Sequence, residues 1–353
     1  MPSSRPDAGT QKLISLEIAR FLAALAVALE HLSTTIPQLK LGPAPLPPMP
    51  ASAAVLFFFT LSGFVIYNAH HQDAGQLARL PRYAWRRFCR IFPLYWLSLL
   101  PMLAVLWPGC TPDYLLKIFT LAPFTGPLAE LNPPAWTLRA ELLFYIMFGF
   151  SLLPYARRVL LPGWGLLLAA AWYHDLRGWG GPETLLLWLP GGISSHLLAL
   201  NNIMFFAGLG SGWVFARQRP GPRVLWPLLG VSALALALLL RLDAWGTLYP
   251  ADARLPCTAL AFAAVIFTLA ALERSRYLRL HRRWAALGAM SYPLYLLHSG
   301  VAFAFSAYLF FHPQAHLPAL PVFAAMLALA LLAAALAAFL FDAPLQRLAR
   351  RVL

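Results

Sequence analysis

Ten stretches of this 353-residue sequence are apolar over lengths that cross a bilayer, and together they fill almost the whole chain. They lie at about 13–31, 51–69, 91–107, 135–153, 157–173, 195–216, 223–240, 254–273, 287–309 and 318–341. Hydrocarbon offers no partners for backbone N–H and C=O groups, so each stretch must satisfy its own as a helix. The expected fold is therefore all-α, a polytopic membrane helix bundle with about ten transmembrane helices. Composition agrees: 60% of residues are hydrophobic and only 11% charged, too few charges to solvate a soluble protein of this length. A polar leader (MPSSRPDAGTQ) precedes the first stretch and no small-residue cleavage site follows it, so no cleaved signal peptide is expected.

A net charge of +14 would suit a nucleic-acid binder, but the basic residues are arranged otherwise. With the N-terminus inside, 20 of the 27 Lys and Arg residues fall on inner connections and five on outer ones; Arg20 and Arg139 lie within helices. That alternation predicts an N-in, C-in protein of the plasma (inner) membrane whose basic loops touch membrane lipids and no nucleic acid. The expected domains are a short cytoplasmic leader (1–12), a transmembrane domain (13–345) and a basic cytoplasmic tail (346–353). Cys89, Cys110 and Cys257 form no metal or redox motif, and no metal is expected. Cys110 and Cys257 both fall on the outer side, where pairing is open.

Ionisable groups inside these helices are the candidate functional residues, because each costs several kcal/mol unless it faces a bundle interior. The first helix (EIARFLAALAVALEH) carries Glu17, Arg20, Glu30 and His31. Arg20 and His31 share a face, about 16 Å apart along the axis. Glu17 and Arg20, three apart, also suit a simple ion pair. In the second helix Ser62-Gly63 suits either a close backbone approach or a local break. Arg87 and Arg90 are neighbours at the inner mouth of the third helix, suited to phosphate or to lipid head groups. Glu141 lies about 9 Å below the outer surface, near enough in depth to His31 to share a cavity, while Arg139 points away from it. Tyr145 shares the face of Glu141, and Trp136 is either part of the site or an interfacial belt residue. Ser291, Tyr295 and His298 make a polar stripe at i, i+4 and i+7, a core network or a site lining. Asp342 reads as a local ion pair with Arg347.

In order along the chain, these stretches resemble the acyltransferase-3 family of integral-membrane O-acyltransferases. The motifs are Arg20-x10-His31, Ser62-Gly63-Phe64, Arg87-x-x-Arg90-Ile91-x-Pro93-x-Tyr95-Trp96, Trp136-Thr137-Leu138-x-x-Glu141-x-x-Phe144-Tyr145, Ser291-Tyr292-x-Leu294-Tyr295-Leu296-x-His298 and Asp342-x-Pro344. Glu17, Thr137 and Asp342 stand where the family usually has Asp, Ser and Glu. The resemblance implies transfer of an acyl group, usually acetyl from acetyl-CoA, to a hydroxyl of a glycan, a lipid-linked sugar or, in some members, a small molecule such as a macrolide. No hydrolase-like extracytoplasmic domain is expected in these residues, so the transmembrane domain finishes the reaction alone or passes the acyl group to a separate extracytoplasmic partner protein.

On that reading His31 is the base or a transient acyl carrier, oriented by Glu141 or Glu30, with Glu141 favoured because Glu30 points about 100° away. Arg87 and Arg90 hold the CoA phosphates, and Arg20 holds a phosphate or polarises the thioester carbonyl. Ser62, Trp136, Tyr145, Ser291, Tyr295 and His298 are the expected substrate-binding residues. The rival function is a transporter or flippase for a lipid-linked sugar, whose buried charges would line a pathway; inverted repeats of broken helices, which would favour it, are not seen.

Overall fold

The structure, a computed structural model, describes residues 12–47, 51–106, 109–122, 131–186, 188–189, 192–243, 254–312 and 317–352. The expected leader lies outside them except for Lys12, as do 123–130 of the segment before the fourth apolar run and the last residue of the expected tail. Among the described residues there is no strand. The helices are α1 (Ile14–Gln38), α2 (Ala51–His70), α3 (Leu80–Leu106), α4 (Pro112–Thr120), α5 (Ala135–Gly149), α6 (Ala156–Leu176), α7 (Ile193–Leu197), α8 (Asn202–Arg217), α9 (Pro222–Asp243), α10 (Arg254–Arg274), α11 (Ala285–Phe311), α12 (Ala319–Leu336) and α13 (Ala343–Val352).

Seven helical segments among the described residues are long and apolar enough to cross a membrane, rather than ten. The other three expected spans correspond to α1, α5 and α6. Charges interrupt α1, and α5 has only 15 residues. Several boundaries also move. α1 runs two turns past His31, because Ala24, Ala28, Leu32 and Ile36 continue one buried stripe at four-residue spacing. α3 starts at Leu80, so Arg82, Arg86, Arg87 and Arg90 stand on the helix rather than in a loop. The expected helix at 195–216 breaks between α7 and α8, where the Asn202 amide donates to the carbonyls of His196 and Leu197 at 2.9 and 3.1 Å.

The helix ends are satisfied across the bundle. The first N–H groups of α1, on Ile14 and Ser15, donate to the two carboxylate oxygens of Glu273 on α10, each at 2.7 Å. The first N–H of α2, on Ala51, donates to Glu30 at 2.8 Å. Glu30 therefore closes a helix end and does not orient His31.

The Ser62-Gly63 pair does bring two backbones together. A Cβ on Gly63 would overlap the Phe205 carbonyl of α8, and one on Gly208 would overlap the Thr60 carbonyl of α2. The clash is with main chain on both sides, so neither helix can yield by rotating a side chain. Gly208→Val is expected to destabilise the fold by at least the ~1–3 kcal/mol of ordinary overpacking. Gly210→Val, with open space beside it, is the control. Thermal unfolding of the two detergent-extracted proteins checks this; equal midpoints would refute the close approach.

Candidate active site

A cavity of about 130 Å³ lies between α1, α2, α3, α5 and α11. Its charged lining is Arg20 of α1, Arg87 and Arg90 of α3, and Glu141 of α5. Ser62, Thr137, Tyr145, Ser291, Tyr292 and Tyr295 add hydroxyls, and α2 supplies an apolar wall that includes Val55, Phe58 and Val65. Three guanidinium groups and one carboxylate thus face the same space. The volume is below the ~300–1,000 Å³ of pockets that enclose a whole drug-sized ligand. It suits a slender arm, with any bulky remainder outside.

Each arginine is held from behind. Arg90 pairs with Asp342 at 3.3 Å and lies 4.8 Å from the centre of the Tyr292 ring. Arg87 donates to His70 Nε2 at 2.7 Å, which leaves the His70 Nδ1–H to donate to Asp73 at 3.0 Å. Its guanidinium also lies over the rings of Tyr83 and Tyr145. The buried Nε of Arg87 has no acceptor among the described residues. Arg20 stands 3.9 Å from Glu17, whose side chain fits against Gly288. Glu141 accepts a short hydrogen bond from the Tyr145 hydroxyl, and Tyr83 donates to the Tyr145 carbonyl at 2.8 Å.

Farther along α1, His31 Nδ1 lies 2.9 Å from His298 Nε2 of α11, and the rings are 5.1 Å apart. His298 is fully buried, whereas His31 is exposed. Tyr295 joins this pair to the cavity. Its hydroxyl bonds Thr137 at 2.9 Å and its ring lies 6.3 Å from that of His298.

The expected site residues thus divide. Arg20, Ser62, Arg87, Arg90, Glu141, Tyr145, Ser291 and Tyr295 line one cavity, although the Ser291 hydroxyl is spent on the Gly288 carbonyl of its own helix. His31 and His298 meet each other outside that lining. The expected His31–Glu141 pairing is not made: Glu141 lines the cavity with Arg20, about 16 Å along α1 from His31, and α1 packs along α11. Trp136 is not part of the lining; it is 46% exposed and meets only the edge of Phe59 at 6.2 Å. Arg139 is buried rather than directed outward. Asp342 serves Arg90, not Arg347, which turns back to the Ala343 carbonyl.

Sequence reading missed His70 and Asp73, although the His70-x-x-Asp73 spacing was a visible sign of a helix-end pair, and it gave Tyr292 no site role beyond its place in the Ser291–His298 motif. Asn132 was missed as well. Its amide nitrogen donates to Ser98 at 2.8 Å and its amide oxygen accepts from Ser299 at 2.7 Å, pinning the start of α5 between α3 and α11. No group of three or more His, Cys, Asp and Glu side chains suited to a metal occurs among the described residues. Cys89, Cys110 and Cys257 are free thiols.

Long apolar helices around a cavity of paired charges define a multi-pass membrane protein with an internal charged cavity. Comparison narrows the class. A family profile described as an acyltransferase domain matches residues 13–339, and the chain belongs to this acyltransferase-3 family. It is also 32% identical over 154 residues to acyltransferase MdmB of Streptomyces mycarofaciens, a match covering 39% of this chain and 38% of that relative. No solved structure matches.

Proposed function

We propose that the protein moves an acyl group, acetyl in the simplest case, from acyl-CoA to a hydroxyl of a cell-surface or secreted glycan or its lipid-linked precursor. In this reading it sits in the plasma (inner) membrane with both termini inside and all ten helical segments spanning. The single observation that carries it is the arginine-lined cavity, which reaches through Tyr295 toward a histidine pair. The donor enters from the arginine end. Arg87 and Arg90 receive its phosphates, and the orphaned Arg87 Nε gains the acceptor it lacks. The narrow cavity takes the pantetheine arm and leaves the nucleotide outside.

Arg20, about 16 Å from His31 along α1, adds a third guanidinium for the donor phosphates and takes no part at the reacting carbonyl. His31 removes the acceptor hydroxyl proton as that oxygen attacks the carbonyl carbon. The C–S bond breaks, and the thiolate takes the proton back from the imidazolium. Glu141, tied to Tyr145, offsets part of the arginine charge. It serves the donor end and not the base.

The test is purified protein in nanodiscs with acyl-labelled acetyl-CoA and membrane glycan from the source cells. Label is expected to move to glycan as an ester that mild alkali releases. Absence of thioester turnover, with glycan crossing the bilayer instead, would replace this reading with the transporter.

A further inference from the structure

We infer that His298 is a positioning residue that fixes the tautomer of His31, leaving His31 Nε2 as the bare nitrogen that receives the acceptor proton. The inference rests on His31 being the base. It follows from a chain of three groups whose first member has no choice. The Leu294 carbonyl can only accept, and His298 Nδ1 lies 3.0 Å from it, so the proton of the His298 ring is on Nδ1. The ring is fully buried, and a second proton would place a charge where water cannot reach. His298 Nε2 is therefore a lone pair. At 2.9 Å from it, His31 Nδ1 must carry a hydrogen, since two facing lone pairs repel. The remaining nitrogen of His31, Nε2, is then unprotonated, and no other hydrogen bond among the described residues reaches the ring.

In free histidine the proton prefers Nε2, so His298 selects the less populated form. A carboxylate usually fills this role. Here a neutral imidazole does, with two consequences. The contact orients the ring without adding a negative charge beside it. Once His31 takes the acceptor proton on Nε2, its Nδ1–H becomes a charge-assisted donor to His298, which steadies the cation during attack. That proton then leaves from the same Nε2 to the departing thiolate, so the ring returns to its starting tautomer without rotating. The acceptor hydroxyl must accordingly approach the Nε2 edge of His31, opposite the edge that meets His298.

The test uses the full chain in nanodiscs, labelled with ¹⁵N-histidine, and three variants. In the wild type His31 is expected to show a protonated Nδ1 and a bare Nε2. His298→Leu removes the acceptor: the His31 signals should shift to the Nε2–H form and kcat should fall on the order of 10²-fold with donor KM unchanged. His298→Gln, whose amide oxygen can accept from His31 Nδ1–H, should recover most of that loss. A role in packing alone would favour Leu over Gln and leave the ¹⁵N signals unmoved. Undiminished kcat in His298→Leu, while His31→Ala is inactive, would overturn the inference and leave the base assignment standing. Full turnover in His31→Ala would overturn both. Should His298→Leu not fold, the wild-type spectrum decides, since a protonated Nε2 on His31 refutes the assignment.

Discussion

His31→Ala is expected to lower acyl transfer by about 10²–10⁴-fold while the protein still folds and still binds its donor. The fold survives because His31 is exposed and, among the described residues, its ring makes one hydrogen bond, to His298. Losing that contact leaves one buried acceptor unmet, at a cost of ~1–3 kcal/mol against a typical total of ~5–15 kcal/mol. Donor binding survives because the arginines belong to the other end of the cavity, and Arg20 is about 16 Å from His31 along α1. Binding of labelled acyl-CoA and its turnover, measured on the same preparation, separate the two effects. Retained binding with lost transfer is the expected pair. Retained transfer would remove the base, and with it any catalytic reason for the His31–His298 contact.

That separation addresses the distance between the two ends of the reaction. If donor phosphates are held near Arg87, the thioester must travel along the bundle before an oxygen near His31 can meet it. The cavity supplies part of this path. Val55 and Phe58 from α2, Thr137 from α5 and Tyr295 from α11 are part of its wall, and the Tyr295 ring lies 6.3 Å from that of His298. The two Phe58 and Tyr295 rings meet edge-on at 5.7 Å between centroids, so a small rotation of either would change the width at that level. If the proposed acyl group takes this path, the Phe58–Tyr295 contact is where a short one would pass more easily than a long one.

What was legible in the sequence was whatever depends on spacing along one helix. The apolar runs placed the helices, and the i, i+4 spacing of Glu141 and Tyr145 placed both on the cavity wall. The glycine of Ser62-Gly63 marked a close approach, although its counterpart Gly208 was not matched to it. What failed were the pairings between helices. Depth counted from the end of one apolar run does not carry over to another helix, and the direction a side chain faces within the bundle depends on which helices are neighbours. Glu141 lines the cavity beside Arg20, which stands about 16 Å from His31 along α1. Asp342 failed for a local reason as well: residues Ala337–Asp342 form a π-helical turn, and its extra residue rotates the side chains that follow by roughly 100°. A regular helix would not have turned Asp342 onto Arg90.

That turn also sets the other large effect. Asp342→Asn keeps the shape of the side chain and removes the charge opposite Arg90. An ion pair broken on one side inside a fold costs ~3–5 kcal/mol. The Arg90 side chain retains 25% exposure and its place over the Tyr292 ring, so the lower end of that range is expected. Removing both partners in an Arg90→Met, Asp342→Leu protein should restore most of the stability, since two apolar groups leave no charge behind. Its activity should not recover. If Arg90 holds a donor phosphate, its loss removes a charged hydrogen bond worth ~1.5–3 kcal/mol, which is a rise in donor KM of roughly 10–100-fold. Chemical unfolding in detergent together with Michaelis analysis against acyl-CoA reads both quantities. A double variant that regains stability and keeps the wild-type donor KM would show that the pair only fastens α3 to the π turn, and would leave the donor phosphates to Arg87 and Arg20.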